Sequence, residues 1–271
     1  MPTVTQGGTR LWRRMSAEAS FKRWVLWLIA TAVFVWCWQK ISAGTEWSFV
    51  LDAPAQGADI LDRMIPPEWG YAKTLGRPLW DTLNMATLGT MIAVVIAVPL
   101  AFLAAQNTTP SGLFARPFAL FCIVASRSIN SVIWALVLVL ILGPGVLSGT
   151  IAIALRSVGF IGKLLYEAIE ETDRRPRDAI ASTGASQGQV IAYAVVPQIM
   201  PVFAGIAVFR WDINIRESTI LGLVGAGGLG LQLNAAIGNL DWSHVSVILL
   251  AIFATVIVSE WVSARVRKAV T

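Results

Sequence analysis

The residues best suited to chemistry in this sequence are arginines that lie within or beside long apolar segments. Arg127 and Arg156 interrupt two such segments, and Arg210 and Arg216 follow a third. A guanidinium carries a permanent charge and binds oxyanions well. At membrane depth a charged side chain costs about 2.5–3.5 kcal/mol on insertion scales, so it usually faces an interior or a cavity. These arginines therefore indicate a pathway for an anion or a set of internal ion pairs.

Arg127 is followed three residues later by Asn130, and on a continuous helix the two share one face. An anion that crosses a membrane needs donors that attract it without trapping it, so this pair suits a transient binding position. Arg156 is a second candidate for the same role. The alternative for both arginines is structural, in which the side chain snorkels toward the interface or binds helix-end carbonyl groups.

Arg210 and Arg216 have acidic neighbours. Asp212 and Glu217 are close enough in sequence to neutralise both of them. We therefore expect Arg210 and Arg216 to form salt bridges that hold an outer gate, in preference to contacts with a ligand. Asn214 lies between them, and we include it among the residues of the substrate pathway.

A glycine-rich stretch follows these residues. Gly225, Gly227 and Gly230 match the G-x-G-x-x-G fingerprint of dinucleotide-binding folds. That fingerprint requires a βαβ unit and an acidic residue about 20 positions further on, and here Asp241 comes too soon. We instead predict that these glycines, together with Gly228, allow tight turns and close backbone contacts within a helix bundle.

The sequence offers few residues that could form a catalytic site or a metal site. His244 is the single histidine, and Cys37 and Cys122 are the two cysteines. They provide no cluster of metal ligands and no histidine base beside a nucleophile. The sequence also lacks G-x-x-x-x-G-K-[ST], the loop that holds ATP phosphates. We predict a non-catalytic chain that itself binds no cofactor.

The polar residues stand out because the rest of the chain is strongly apolar. Hydrophobic residues make up 56% of the 271 residues and charged residues 14%, with a mean hydropathy of +0.66, whereas soluble domains carry about 25% charged residues. A membrane-crossing helix needs about 20 apolar residues. Six segments qualify: Trp24–Ile41, Met85–Ala105, Pro117–Leu142, Val146–Tyr166, Val190–Phe209 and Val245–Val262. We predict an all-α membrane protein with six transmembrane helices.

The distribution of charge sets the orientation of these helices through the positive-inside rule. We predict a basic cytoplasmic tail over residues 1–23 and a transmembrane domain over 24–271, with both termini in the cytoplasm. Residues 42–79 are acidic and form an outer interfacial segment, in which we expect a short helix around Asp59–Met64 and then an extended stretch at Pro66 and Pro67. Membrane orientation accounts for the net charge of +5, so nucleic acid is not an expected partner.

The longest predicted cytoplasmic loop covers residues 167–189. Pro176 suits the first turn of a helix, where Asp178 would also favour the helix dipole. Thr183 and Gly184 would end that helix, and Ser186 can cap the next one. The pattern predicts a short exposed helix parallel to the membrane, and the alternative is a solvated connecting loop.

This loop resembles the cytoplasmic signature of permease subunits of type I ABC importers. The signature is an acidic residue and two alanines, three residues, a glycine and a downstream proline, for which this chain has Asp178-Ala179-Ile180, Gly184 and Pro197. This chain departs from the signature at two positions: Asp178 replaces the usual glutamate, and Ile180 replaces the second alanine. The resemblance implies a coupling helix that docks into a groove of an ATPase subunit. The implied coupling residues are Asp178, Ala179, Ile180, Thr183 and Gly184.

Other stretches are similar to phosphonate-type permeases in particular. The block from Arg210 to Gly230 resembles the stretch before their last helix, and Arg127–Asn130, Leu142–Pro144 and Val196–Pro201 also fit. The resemblance runs from residue 60 to the end of the chain. It implies import of phosphonate or a related phosphorus oxyanion, such as phosphite or hypophosphite, with phosphate left open. Pro197 and Pro201 are expected to kink the fifth helix and give a gate a place to bend.

The resemblance also implies partners. They are two ATP-binding subunits that hold ATP and Mg²⁺, an extracytoplasmic substrate-binding protein, and a second permease subunit, expected to be an identical copy, in the bacterial inner membrane. Three alternatives remain: a permease of this class for another small solute, a secondary transporter, and a membrane-embedded enzyme. The predicted spans hold no acidic residue at their centres, which argues against ion coupling by a secondary transporter.

Overall fold

The computed structural model describes residues 3–6, 9–12 and 17–270. The chain divides into two compact units, Met1–Asp59 and Ile60–Thr271. The second unit contains the predicted loop and all of the predicted site residues. Part of the predicted cytoplasmic tail lies outside the described residues.

The first unit consists of a hairpin and two helices. Strands β1 (Thr3–Gln6) and β2 (Thr9–Trp12) pair antiparallel. Helix α1 (Ala17–Ala43) contains the first predicted span, and no residue in its most apolar stretch is buried. Helix α2 (Trp47–Met64) begins in this unit and ends in the second. The indole Nε1 of Trp47 donates to the carbonyl oxygen of Ser42 at 3.3 Å and fixes the turn between the two helices.

The outer segment is more helical than the sequence suggested. The short helix expected around Asp59–Met64 is the last part of the 18-residue helix α2, which runs through Pro54. The reason is its pattern: apolar residues at helical spacing, such as Trp47, Val50 and Leu51, give one apolar face that continues past the proline. After Pro66 and Pro67 the chain forms a 3₁₀ turn over Trp69–Leu75 instead of staying extended.

The second unit is a helical bundle. Its long helices are α3 (Gly76–Ala104), α6 (Val146–Glu170), α9 (Val196–Leu221) and α11 (Trp242–Val270). Its shorter helices are α4 (Ala115–Ser128), α5 (Ser131–Leu142), α7 (Arg174–Ala181), α8 (Gln187–Val190) and α10 (Gly228–Gly238).

Helices α3 and α6 form the centre of the bundle, because their facing residues are small. Ala86, Ala93 and Ala97 of α3 are fully buried. A Cβ atom at Gly89 would lie 2.7 Å from Cγ2 of Ile153 on α6, so only glycine fits there. Small residues let membrane helices approach closely, and close approach provides the van der Waals contact that holds them together.

The third predicted span is not one helix. Helices α4 and α5 are bent by 87° at a break over Ile129 and Asn130. Ile129 is extended, and the side-chain Oδ1 of Asn130 accepts a hydrogen bond from the backbone N–H of Val132 at 3.2 Å, which caps the start of α5. Five helices in the described chain are therefore long and apolar enough to cross a membrane, and the count of six holds only if the bent pair is one span.

The fifth predicted span continues well beyond Phe209. Helix α8, a π-helical turn over Ile191–Val195 and α9 form one apolar stretch, Gln187–Ala226. Helix α9 includes the polar run from Arg210 to Thr219, which we had placed after the span. Charged residues can continue the helix because each of them has a partner, described below.

The two prolines of this segment do not interrupt α9. Pro197 is the second residue of α9, directly after the π-helical turn, where its missing N–H is accommodated. The helix also continues through Pro201. A π-helical turn directly precedes the prolines, and the kinks expected at Pro197 and Pro201 stay a prediction.

Candidate functional site

A network of polar side chains lies inside the second unit, where α3, α6 and α9 meet. Its centre is Arg210, whose side chain is only 3% exposed. Its Nε donates to Oγ of Ser157 on α6 at 2.9 Å, and its Nη2 donates to Oε2 of Glu217, two turns along α9, at 3.1 Å. The guanidinium also lies 5.2 Å from the ring centre of Phe160. Arg210 thus binds groups on two helices and joins α9 to α6.

The network extends from Ser157 to α3 through Asn214. The Ser157 hydroxyl donates to Oδ1 of Asn214 at 3.2 Å, and Nδ2 of Asn214 donates to Oγ1 of Thr90 at 2.7 Å. Thr90 in turn donates to the carbonyl oxygen of Ala86 at 2.6 Å. Ser157 and Asn214 are completely buried. Three helices are therefore connected by hydrogen bonds between buried side chains.

Glu217 connects a second arginine to this network. Oε1 of Glu217 lies 3.8 Å from Nη1 of Arg156, and that same Nη1 donates to Oδ1 of Asn130 at 3.0 Å. The side chain of Arg156 is 33% exposed, in contrast to that of Arg210. The predicted pathway residues Asn130, Arg156, Arg210 and Asn214 thus lie in one connected group, which reaches from the break between α4 and α5 to the core.

Asp212 and Arg216 form a separate pair on α9. The carboxylate of buried Asp212 binds Arg216 one turn away and accepts a hydrogen bond from Oγ of Ser259 on α11 at 2.8 Å. Asp212 and Glu217 are acidic residues within the long apolar stretch Gln187–Ala226, beyond the end predicted for the fifth span. The helix can hold them because each is paired with an arginine.

Arg127 is not part of this group. It lies near the end of α4 and is exposed, and its side chain forms no hydrogen bond or ion pair within the described part of the chain. The break after Ser128 also prevents Arg127 and Asn130 from sharing one helix face, as the sequence had suggested. The structure brings Asn130 to Arg156 instead.

The predicted glycines form the turn between α9 and α10. Gly225, Gly227 and Gly228 have positive φ angles of 94°, 92° and 69°, and the backbone N–H of Gly145 donates to the carbonyl oxygen of Gly225 at 3.1 Å. A Cβ atom at Gly230 would overlap the carbonyl oxygen of Thr219. The turn therefore depends on residues without a side chain, both for its conformation and for the contact between α9 and α10.

The loop between α6 and α9 contains the predicted short helix, α7. It begins at Arg174, two residues before Pro176, because the side chain of Asp173 caps it by accepting from the N–H of Arg175 at 3.1 Å. Asp178 therefore lies in the second turn of the helix and not in the first. Ser182 is the C-cap and Gly184 has a φ of +82°. The predicted cap at Ser186 is present, as a capping box with Gln189.

Helix α7 protrudes from the bundle but is attached at its start. No residue of this fully described helix is buried. The backbone N–H of Asp173 donates to Oε1 of Gln198 on α9 at 3.0 Å, and Nε2 of Gln198 donates to the carbonyl oxygen of Ala194 at 2.7 Å. An adjacent cavity of about 620 Å³ is lined by Gln106, Asn107, Glu170, Thr172, Arg174, Arg177 and Asp178. This arrangement presents a short helix for contact with another molecule and connects it to α9.

Sequence reasoning missed several polar residues of these sites, among them Ser157, Thr90, Gln198 and Ser259. Each binds a residue distant in the chain, and no local pattern distinguishes it from other polar residues. The spacing of Arg210 and Glu217 did carry a signal for their ion pair. Glu217 lies seven residues after Arg210, so the two share a face on any helix that continues through the polar run.

The chain is similar to several characterised membrane proteins. The phosphite transport system permease protein PtxC of Stutzerimonas stutzeri is 40% identical over 211 residues, which cover 78% of this chain and 76% of that protein. The putative phosphite transport system permease protein HtxC of the same species is 37% identical and covers 90% and 83%. The phosphate-import permease protein PhnE of Mycolicibacterium smegmatis is 40% identical over 227 residues, 81% of this chain but 42% of that longer protein.

Solved structures share the fold. The MetNI methionine ABC transporter in an inward-facing conformation matches with a TM-score of 0.63 at 22% identity, over 73% of this chain and 96% of the matched chain. A bacterial ABC transporter involved in the import of the acidic polysaccharide alginate matches with a TM-score of 0.58 at 15% identity, over 91% and 98%. Residues 93–271 match the model of one family. The chain therefore belongs to the family of binding-protein-dependent transport system inner membrane components, and it has the fold of an ABC importer permease.

Proposed function

We propose that this chain is the membrane permease subunit of an ATP-driven importer for phosphorus oxyanions, namely phosphonate, phosphite or a close analogue. The observation that carries the substrate class is the 40% identity to a phosphite permease over more than three quarters of both chains. The polar network supports it, since Arg156 and Arg210 share a single carboxylate, Glu217. One positive charge in excess within a membrane helix bundle favours a negatively charged solute.

Helix α7 is the part of the chain that we assign to coupling with the ATPase. Its residues Asp178, Ala179 and Ile180, followed by Thr183 and the left-handed Gly184, present a small exposed surface that fits a groove in another protein. In this proposal two ATP-binding subunits hold ATP and Mg²⁺ and grip α7 from the cytoplasmic side. Both termini of the permease then lie in the cytoplasm.

Two further partners complete the proposed assembly. A second copy of the chain would form the pathway together with the first, and an extracytoplasmic binding protein would deliver the anion to the outer face. The exposed apolar surface of the described helices agrees with a chain that meets lipid and a second subunit. The binding protein, and not the permease, would set most of the selectivity among the oxyanions.

Uptake by the reconstituted complex tests the proposal. The permease is co-expressed with its ATPase and purified, reconstituted into proteoliposomes that contain ATP, and supplied with the binding protein from outside. We expect ATP-dependent accumulation of phosphite, methylphosphonate or phosphate, and none when the binding protein is omitted. If the permease purifies without bound ATPase, or if the anion accumulates in the absence of ATP, the proposed function is contradicted and a secondary transporter is favoured.

A further inference from the structure

The two arginines of the polar network differ in how many of their donors are used. Arg210 donates through Nε and Nη2, is covered by Phe160 and is almost completely buried. Arg156 uses Nη1 alone, toward Asn130, Ser131 and Glu217. Its Nε and Nη2 have no hydrogen-bond partner among the residues that the structure describes. Arg210 thus uses both nitrogens of its Nε and Nη2 edge within its own chain, and Arg156 uses neither.

The free donors of Arg156 have a specific geometry. Nε–H and one N–H of Nη2 point the same way from the planar guanidinium and form the fork that binds two oxygens of a carboxylate or a phosphorus oxyanion at once. Nη1 is held on the opposite side by Asn130 at 3.0 Å, so the plane of the guanidinium is fixed. A fixed fork loses less freedom when it binds an anion than a mobile one.

The charge balance points to the same residue. Glu217 is hydrogen-bonded to Arg210 at 3.1 Å, whereas its distance to Arg156 is 3.8 Å, beyond hydrogen-bonding range. The carboxylate therefore neutralises mainly Arg210, and the excess positive charge of the network lies on Arg156. A charge with only a loose partner attracts a mobile anion more readily than a charge in a tight pair.

Arg156 is also placed where a solute would pass. It is the eleventh residue of the 25-residue helix α6, about 15 Å from the start of the helix at 1.5 Å per residue. A charged group at that depth that is one-third exposed faces a water-filled path or another subunit at lower cost than it faces lipid. The break between α4 and α5 lies beside it at Asn130, and the hydrogen bonds from this side reach Nη1 and not the Nε and Nη2 edge.

We infer that Arg156 is the residue of this chain that contacts the oxyanion in transit, through its Nε and Nη2 edge, and that Arg210, Glu217 and Asn130 position it. This inference rests on the proposed function and assigns distinct roles to residues that the sequence had grouped together. The contact is a single fork with no second cation in the same network free to close around the anion, which suits a site that must release its ligand.

The test compares substitutions of Arg156 in the reconstituted complex, with the ATPase and a saturating amount of binding protein present. The probe is whichever of phosphite, methylphosphonate and phosphate the wild-type complex accumulates fastest. We expect Arg156→Gln to lower the maximal uptake rate about tenfold or more, the effect of losing a charge-assisted hydrogen bond. Arg156→Lys, which keeps the charge but loses the fork, should fall between wild type and Arg156→Gln. Lys163→Gln, on the same helix in an exposed pair with Glu167, should transport normally.

A second measurement separates contact with the anion from a structural role. ATP hydrolysis stimulated by the binding protein, and the thermal unfolding temperature of the purified complex, should stay near wild type in Arg156→Gln. Uptake by Arg156→Gln at the wild-type rate overturns the inference, and so does loss of ATP hydrolysis or of thermal stability together with uptake. A wild-type complex that accumulates none of the three oxyanions refutes the proposed function instead.

Discussion

At the scale of single residues, the strongest feature of the molecule is that one carboxylate serves two arginines on different helices. Glu217 of α9 is hydrogen-bonded to Arg210 of the same helix and lies near Arg156 of α6. Taking charges out of water is expensive, and removal of one partner from a buried pair leaves the other uncompensated. Glu217 therefore makes it possible for two cations to reside inside a membrane bundle.

This arrangement predicts a large effect of Glu217→Gln on stability. The variant leaves Arg210 buried without a counter-charge, and we expect a loss of about 3–5 kcal/mol in the free energy of unfolding. Equilibrium unfolding of the purified permease in SDS–detergent mixtures measures it. The matched control is Glu167→Gln, which breaks the exposed pair with Lys163 and should change the free energy by less than about 1 kcal/mol. Equal effects of the two variants would contradict the role assigned to Glu217.

At the scale of helices and turns, the bundle depends on positions where a side chain does not fit. The contact between α9 and α10 is the clearest case, since Gly230 packs against the backbone of Thr219 and lies close to Gly222. Helix α9 therefore cannot shift along α10 without breaking it.

Gly230→Ala is expected to destabilise the protein. The added methyl group would overlap the carbonyl oxygen of Thr219, and forcing extra volume into a packed site costs about 1–3 kcal/mol. Gly205→Ala is the control, since it also replaces a helical glycine but meets no atom within 4 Å, and alanine favours the helix by up to about 1 kcal/mol. Thermal unfolding followed by circular dichroism distinguishes them, and a Gly230→Ala protein as stable as Gly205→Ala would refute the packing argument.

The sequence predicted the helices of the bundle much better than the places where they break or continue. Apolar length alone identifies α3, α6 and α11. It fails at Asn130, where one amide side chain caps a new helix inside an apolar run. It also fails after Phe209, where charged residues continue α9 because they pair with one another and have further partners on α6 and α11. Ser157 and Ser259 supply those partners from distant positions, and tertiary contacts of this kind leave no mark on the local pattern.

At the scale of the whole molecule, α7 is a short helix in the loop between the long helices α6 and α9, and none of its residues is buried. If it is the coupling helix, as we propose, its shape and the turn behind it must fit the ATPase. Gly184, with a φ of +82° and no atom within 4 Å of a Cβ position, determines the turn without taking part in the packing of the bundle.

Gly184→Val is therefore expected to uncouple ATP hydrolysis from transport. A β-branched residue strains the left-handed conformation by about 1–3 kcal/mol and shifts α7, but it touches nothing in the bundle, so the protein should remain in the membrane in normal amount. Uptake and ATP hydrolysis in the same proteoliposomes measure the ratio of solute moved to ATP used, which should fall severalfold. The control is Gly238→Val, at the end of α10 in equally open space with no positive φ. Normal uptake by Gly184→Val would count against the coupling assignment.

The bond between Gln198 and Asp173 gives the molecule a mechanical property. Gln198 belongs to α9, the same helix that carries Arg210 and Glu217, and twelve residues of helix separate it from Arg210, a distance of about 18 Å. A helix of that length behaves as a stiff rod. If nucleotide binding at the ATPase tilts α7, the hydrogen bond at Gln198 would transmit that displacement to the start of α9. The other end of α9 would then move the carboxylate of Glu217 relative to Arg156. The affinity of the Arg156 guanidinium for the anion would then vary with the conformational cycle of an ATPase outside the membrane.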